Sequence, residues 1–162
     1  MILVAIGSNL NSDLYGSPYN NCIEVIKFLE KYFLVSSVSK FYETEPMPKS
    51  DQPWYVNCVI CIKTDLKPLE ILSKMLHLEI KFGRIRKFKN EPRIIDLDLL
   101  SYNDIILNDN ELILPHPRMH LRRFVMQPIC DLDPEWVHPV IKKKAKSLLK
   151  SLAKQKIFYI ND

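Results

Sequence analysis

One stretch, Pro92-Arg-Ile-Ile-Asp-Leu-Asp-Leu-Leu100, constrains the fold of this chain more than any other. It is apolar, short and rich in Ile and Leu, which is the pattern of a buried strand. Two carboxylates interrupt it at i and i+2. Side chains alternate along a strand, so Asp96 and Asp98 share one face with Cα atoms ~6.6 Å apart, and Ile95, Leu97 and Leu99 share the other. Asp is depleted in strands, and two like charges on one face raise each other's pKa unless a cation sits between them. A hard divalent metal is the natural cation, since Mg²⁺ takes one or two carboxylates together with substrate phosphates. Taken alone, an Asp-x-Asp is more often the wet face of a strand.

The placement of arginine argues for more than a wet face. All six Arg residues (Arg84, Arg86, Arg93, Arg118, Arg122 and Arg123) fall between positions 84 and 123, on both sides of the Asp pair, and every other basic residue except His is Lys. The planar guanidinium fork binds phosphate bidentately. A carboxylate pair ringed by Arg is what a polyphosphate site needs. Plain Arg–Asp salt bridging would occupy about two of the six.

A chain of 162 residues is long enough for one domain, residues 1–162, with a real core. A net charge of +4 permits an anionic small ligand and does not demand nucleic acid. No apolar run reaches the length of a membrane span, and the N-terminus lacks the basic region and cleavage site of a signal peptide, so a cytoplasmic protein is expected. Cys58 and Cys61 have C-x-x-C spacing. They lie in a strand pattern, though, and residues three apart on a strand face opposite ways. With no second pair and no nearby His, all four cysteines read as buried fillers.

In chain order, residues 2–6 form a buried strand ending in a Gly7-Ser8-Asn9 turn, and 20–32 carry helical spacing. A second strand spans 34–42. A proline-stiffened loop over 43–53 precedes a third strand, 54–63. On that strand Val56, Cys58, Ile60 and Ile62 form one face, and Tyr55, Asn57, Val59 and Cys61 the other. A second helix opens at Asp65 and Pro68, with a stripe of Leu69, Leu72, Met75 or Leu76, and Ile80, and stops at Gly83. The central strand is followed by a hairpin over 105–114, a rigid loop at Pro115-His-Pro-Arg118, a short helix over 124–131 and a Lys-rich helix over 142–156. This order predicts an α+β fold: a ferredoxin-like split βαβ core with an added hairpin and C-terminal helices.

Seven segments, in this order, resemble the 6-hydroxymethyl-7,8-dihydropterin pyrophosphokinases of folate biosynthesis. They are Ile6-Gly-Ser-Asn-Leu10, Phe41-Tyr-Glu-Thr-Glu-Pro46, Asp51-Gln-Pro-Trp-Tyr-Val-Asn57, Glu79-Ile-Lys-Phe-Gly-Arg-Ile-Arg86, the central Pro92–Leu100 stretch, Pro115-His-Pro-Arg118 and Arg122-Arg-Phe124. The resemblance implies ATP and a hydroxymethyl-dihydropterin as substrates, two Mg²⁺ ions, and transfer of pyrophosphate with release of AMP. By motif, Asp96 and Asp98 would hold the metals. Arg84, Arg86, Arg93, His116 and Arg122 would line the triphosphate, with Arg84 and Arg86 catalytic beside the Asp pair, and Glu79 would help position ATP. Tyr55 and Phe124 would sandwich the pterin, while Asn57 and the backbone around Thr44 would read its hydrogen-bonding edge.

Two departures stand out. The family signature usually carries Gly before Pro-Arg, where this chain has Glu91. The family's mobile loop often carries Arg-Trp, where this chain reads Lys87-Phe-Lys-Asn-Glu91, a Trp-less lid. Three other classes fit part of the pattern. A metal-dependent nucleotide hydrolase would use the same Asp pair and Arg. A non-catalytic pterin- or nucleotide-binding relative would keep the cleft without turnover. An RNA-binding ferredoxin-like module would want stacking aromatics on its central strands, where an Asp pair repels phosphate. A monomer acting on small molecules, without nucleic acid or membrane, is expected.

Overall fold

The computed structural model describes residues 1–83 and 91–161. In chain order its elements are β1 (Ile2–Ser8), α1 (Pro18–Leu29), β2 (Leu34–Val38), β3 (Tyr42–Thr44), β4 (Tyr55–Lys63), α2 (Pro68–Lys81), β5 (Asp96–Tyr102), β6 (Leu107–Asn108), β7 (Ile113–Leu114), a 3₁₀ turn (Met119–Leu121), α3 (Arg123–Leu132), α4 (Ala145–Lys150) and β8 (Ile157–Tyr159). The main sheet runs β5-β1-β4-β3-β8, with β2 also paired to β4, and every pairing is antiparallel. This is the predicted split βαβ arrangement, with β6 and β7 as the added hairpin.

Both faces of the sheet are covered. On one, Val4, Ile6, Cys58, Ile60, Leu97 and Leu99 pack against Cys22, Val25 and Leu29 of α1 and Ile71, Met75 and Leu78 of α2. On the other, Leu3, Val59 and Cys61 pack against Val125, Met126 and Ile129 of α3 and Ala145 and Leu148 of α4. The register expected for β4 is the one observed. Helix α1 starts at Ser17, whose hydroxyl accepts from the Asn20 N–H, with Pro18 in the first turn. Helix α2 stops as predicted at Gly83, whose φ of +88° is a left-handed conformation that favours glycine.

Several expectations need correction. The strand expected over 34–42 is two strands. Ser39 breaks it, its hydroxyl accepting from the Val59 N–H (2.9 Å) and donating to the Lys40 carbonyl (2.8 Å) in place of a continuous ladder. The buried stripe of α2 is Ile71, Met75, Leu78 and Glu79, not Leu69, Leu76 and Ile80, which are exposed. Apolar residues surround this helix, so periodicity alone admits two rotations. Strand β1 continues through Gly7 and Ser8 instead of turning there. The C-terminal helix spans only 145–150, capped where the Ser151 hydroxyl donates to the Leu148 carbonyl (2.7 Å), and the chain then adds β8 to the sheet edge. Cys130 is half-buried; the other three cysteines are buried, and all four are free thiols. No helix among the described residues is long and apolar enough to cross a membrane.

Candidate active site

Strand register builds the site. Gly7 of β1 stands opposite Asn57 of β4 and Asp96 of β5, and Ala5 stands opposite Asp98. Directly paired residues project to the same face. The carboxylates of β5 and the Tyr55/Asn57 pair of β4 therefore rise on either side of β1, whose side chains there are the two smallest. The result is a trough of about 320 Å³ over the sheet. Its floor and sides include Ala5, Gly7, Thr44, Tyr55, Asn57, Asp96 and Asp98, and its rim carries Glu91, Arg93, His116, Arg118, Arg122 and Phe124. Residues 46–52 contribute Pro46, Met47, Pro48, Ser50 and Gln52 to the open side.

At one end the groups suit a flat heteroaromatic ring. Asn57 is buried, and its Nδ2 donates to the Thr44 hydroxyl at 2.7 Å, which fixes the orientation of the amide. Tyr55 and Phe124 both line the cleft. The Arg122 guanidinium lies 5.4 Å from the centroid of the Phe124 ring, a cation–π distance.

The other end is polar and charged. Arg93 Nη1 donates to Asp96 Oδ1 at 2.9 Å, and Arg93 Nε donates to the Glu91 carbonyl at 3.1 Å. Burial works against the Arg93 charge, but Asp96, with smaller help from Tyr55 and Asp98, holds its pKa above the ordinary value. Burial and the neighbouring Arg118 push Arg122 the other way. His116 is pushed down to about 4, first by burial and then by Arg122 and Arg118, so its imidazole is neutral at pH 7. Its Nδ1 accepts from the Arg118 N–H (3.2 Å), which leaves the proton on Nε2. Asn9 joins the two ends. Its Oδ1 accepts from the Arg93 N–H (2.9 Å) and its Nδ2 donates to the Pro53 carbonyl (3.0 Å).

A second cavity of about 260 Å³ shares Asp98 and His116 with the first, and its other walls include Leu72, Leu99, Leu112 and Ile113. Among the described residues no cluster of three or more His, Cys, Asp or Glu is arranged to hold a metal. Asp96 and Asp98 supply two hard oxygen donors on one side of the trough. That set fits a Mg²⁺ ion that completes its shell with phosphate and water, not a caged structural metal.

The structure thus brings together Thr44, Tyr55, Asn57, Arg93, Asp96, Asp98, His116, Arg122 and Phe124. Arg84 and Arg86, and residues 87–90 of the expected lid, lie outside the described residues. Glu79, expected beside the nucleotide, is not among the residues lining either cavity. It is buried, and its Oε1 accepts from the Leu97 N–H at 2.8 Å, so it ties α2 to β5 midway between the two Asp residues. Sequence reasoning missed Ala5 and Gly7. Their size was the one local signal, since small residues in a strand mark close approach, but size does not say what approaches.

The family model for 7,8-dihydro-6-hydroxymethylpterin-pyrophosphokinase matches residues 3–134. The 2-amino-4-hydroxy-6-hydroxymethyldihydropteridine pyrophosphokinase of Haemophilus influenzae is 34% identical over 158 residues, 98% of this chain and 96% of that protein. Its counterpart in Aquifex aeolicus is 31% identical over 90% of this chain and 88% of that protein. The folic acid synthesis protein FOL1 of Dictyostelium discoideum is 36% identical over 87% of this chain, which spans only 21% of that longer protein. The same holds for the fol1 protein of Pneumocystis carinii, where the share is 18%. In fold, the chain matches a Plasmodium falciparum HPPK-DHPS crystal structure with a TM-score of 0.73 at 16% identity, over 93% of this chain and 44% of that one. Matched over most of its length by the family model and end to end by a bacterial relative, this chain belongs to the 7,8-dihydro-6-hydroxymethylpterin-pyrophosphokinase family.

Proposed function

We infer that this chain, as a single domain, transfers pyrophosphate from ATP to the hydroxymethyl group of 6-hydroxymethyl-7,8-dihydropterin and releases AMP, a step of folate biosynthesis. One observation carries the reading. A slot for a flat ring, made by Tyr55, Asn57 and Phe124, opens directly onto the paired carboxylates Asp96 and Asp98. A nucleotide hydrolase needs a site for one ring, the base of its nucleotide, whereas this slot lies beside a second cavity that shares Asp98 and His116 with the first.

The pterin lies between Tyr55 and Phe124, its edge read by the Asn57 amide and the backbone near Thr44, with its hydroxymethyl group toward Asp96. ATP spans the charged end, its base in the second cavity, against Leu72, Leu99 and Leu112, and its phosphates past His116, Arg93 and Arg122. The hydroxymethyl oxygen attacks the β-phosphorus of ATP. A new O–Pβ bond forms, the bond from Pβ to the α,β-bridging oxygen breaks, the hydroxyl proton is released, and AMP departs. Asp96 and Asp98 would hold two Mg²⁺ ions, which supply Lewis-acid neutralisation of phosphate charge and lower the pKa of the attacking hydroxyl. No separate general base is then required of the protein. Neutral His116 presents Nε2–H to a phosphate oxygen, and Arg93 and Arg122 stabilise the charge that develops as the bond breaks. Arg84 and Arg86 are assigned to the same phosphates on the strength of their motif.

The chain acts on these small-molecule substrates as a monomer. Four free thiols suit the reducing cytoplasm. The test is AMP release from ATP and Mg²⁺, with and without the pterin, alongside mass detection of the pyrophosphorylated pterin. AMP released only with pterin supports the reading. AMP released equally without it marks a hydrolase, and binding without release marks a non-catalytic relative.

A further inference from the structure

Arg122 and Phe124 enter the cleft from the junction between the 3₁₀ turn Met119–Leu121 and helix α3, and that junction has no cap of its own. Arg122 is the residue before the helix, with extended backbone (φ −119°, ψ 114°), and its side chain makes no capping bond. The first N–H groups of a helix need an acceptor from outside when the capping residue provides none. Here the acceptor comes from the far end of the chain. Gln155 Oε1 accepts from the Arg123 N–H at 2.8 Å, and Gln155 Nε2 donates to the Leu121 carbonyl at 2.8 Å. One side-chain amide therefore straddles Arg122, bonded to the residue on each side of it. A side-chain amide carries both the acceptor and the donor this requires, on separate atoms. The Arg123 side chain returns the contact, with Nη1 donating to the Ala153 (3.1 Å) and Gln155 (2.9 Å) carbonyls. Four hydrogen bonds thus lock residues 121–123 to residues 153–155. Neither Arg123 nor Gln155 lines the cleft, and Gln155 lies beyond the segment matched by the family model.

We propose that Gln155 and Arg123 form a positioning brace, which sets Arg122 and Phe124 at the depth in the cleft that pterin and phosphate binding require. The brace rests on the function proposed above and adds residues to it that touch neither substrate. It acts through pre-organisation: displacement of a substrate-holding group by about 1 Å costs on the order of a hundredfold in rate, and loss of the brace permits part of that movement.

The informative variant is Gln155→Met, which keeps the length of the side chain and removes both bonds. It should raise KM for the pterin about tenfold, with a smaller change in KM for ATP and a melting temperature only a few degrees lower. Placed in a Phe124→Ala background, the same change should add almost no further rise in KM for the pterin, because the ring it positions is gone and Arg122 acts on the phosphates. Gln155→Glu keeps the acceptor for the Arg123 N–H but faces the Leu121 carbonyl with a second oxygen, so it should recover part of the loss. It also provides the comparison if the Met variant does not fold. Unchanged KM for the pterin in folded Gln155→Met protein, or equal losses in the two backgrounds, would overturn the brace. Wild-type protein that binds the pterin without transfer would overturn the proposed reaction alone, since pterin affinity, followed by its fluorescence, still scores the brace. Wild-type protein that does not bind the pterin would overturn both.

Discussion

Gly7 offers the sharpest test of how the trough is made. Its neighbours across the sheet are Asn57 and Asp96, and a Cβ added at Gly7 would sit 3.1 Å from Asn57 Oδ1, 3.7 Å from Tyr55 Cδ1 and 3.9 Å from Asp96 Cβ. The last two are ordinary contacts. The first is too close by a few tenths of an ångström, and the Asn57 amide cannot yield freely because its Nδ2 is held by the Thr44 hydroxyl at 2.7 Å in a buried position. The backbone is extended there, so the need for glycine is one of space, not of conformation.

Gly7→Ala should accordingly leave the fold intact, at a cost of about 1 kcal/mol for a mild overpacking. The same methyl fills the trough where the pterin edge meets Asn57. A shift of the amide by a few tenths of an ångström weakens its hydrogen bonds to the ring, and the methyl lifts the ring away from the sheet. KM for the pterin should rise about tenfold, a cost near 1.4 kcal/mol, while KM for ATP changes by less than about twofold, within the small cost of a surface perturbation. Steady-state kinetics with each substrate varied in turn, together with thermal unfolding, make the comparison. A well-folded Gly7→Ala protein with wild-type KM for the pterin would show that the ring does not lie over β1, and the placement of the substrate would have to change.

Asp96→Ala or Asp98→Ala should lower turnover by more than about a hundredfold with the fold retained, as expected when transition-state charge loses its stabiliser; near-normal turnover in Mg²⁺ would remove the metal assignment. Glu91 lines the cleft near the phosphate end, so Glu91→Gly should tighten ATP binding about twofold to fivefold, measured by calorimetry, and weaker binding would contradict it. His138 is 3% exposed, its Nδ1 accepts from the Val140 and Ile141 N–H groups (3.2 Å each), and burial, then the nearby His120, push its pKa down to about 4. That value lies below the ordinary one, so the neutral ring contributes stability that is complete above pH 6.5 and is lost as pH falls toward 4, by about 3 kcal/mol. His138→Asn keeps an acceptor for the two N–H groups. Its denaturant stability should fall less between pH 6.5 and 4 than that of wild type, and identical slopes would refute the assignment.

The parts of this site legible in the sequence are those encoded by strand alternation. Asp96 and Asp98, and Tyr55 and Asn57, are pairs at i and i+2, and period two assigns each pair to a face with no knowledge of the neighbours. What sequence reading could not reach depends on partners distant along the chain. Gly7 looked like a turn residue because glycine is scored locally as a breaker. Its real role appears only when β4 and β5 flank it, 50 and 89 positions further along the chain in the observed register. Glu79 shows the same limit from the helical side. Leu69, Leu76 and Ile80 make as good a stripe as Ile71, Met75 and Leu78, and hydrophobicity cannot choose between them. The choice falls to a polar contact. Among the described residues strand β5 is a sheet edge and leaves the Leu97 N–H without a ladder partner in the sheet, and the rotation of α2 that buries Glu79 supplies an acceptor at 2.8 Å. A buried N–H left unmade would cost about 1–3 kcal/mol, enough to select one rotation over another of similar apolar content. The carboxylate that orients α2 also fixes the backbone between Asp96 and Asp98, so one buried polar contact sets both the packing of the helix and the presentation of the Asp pair.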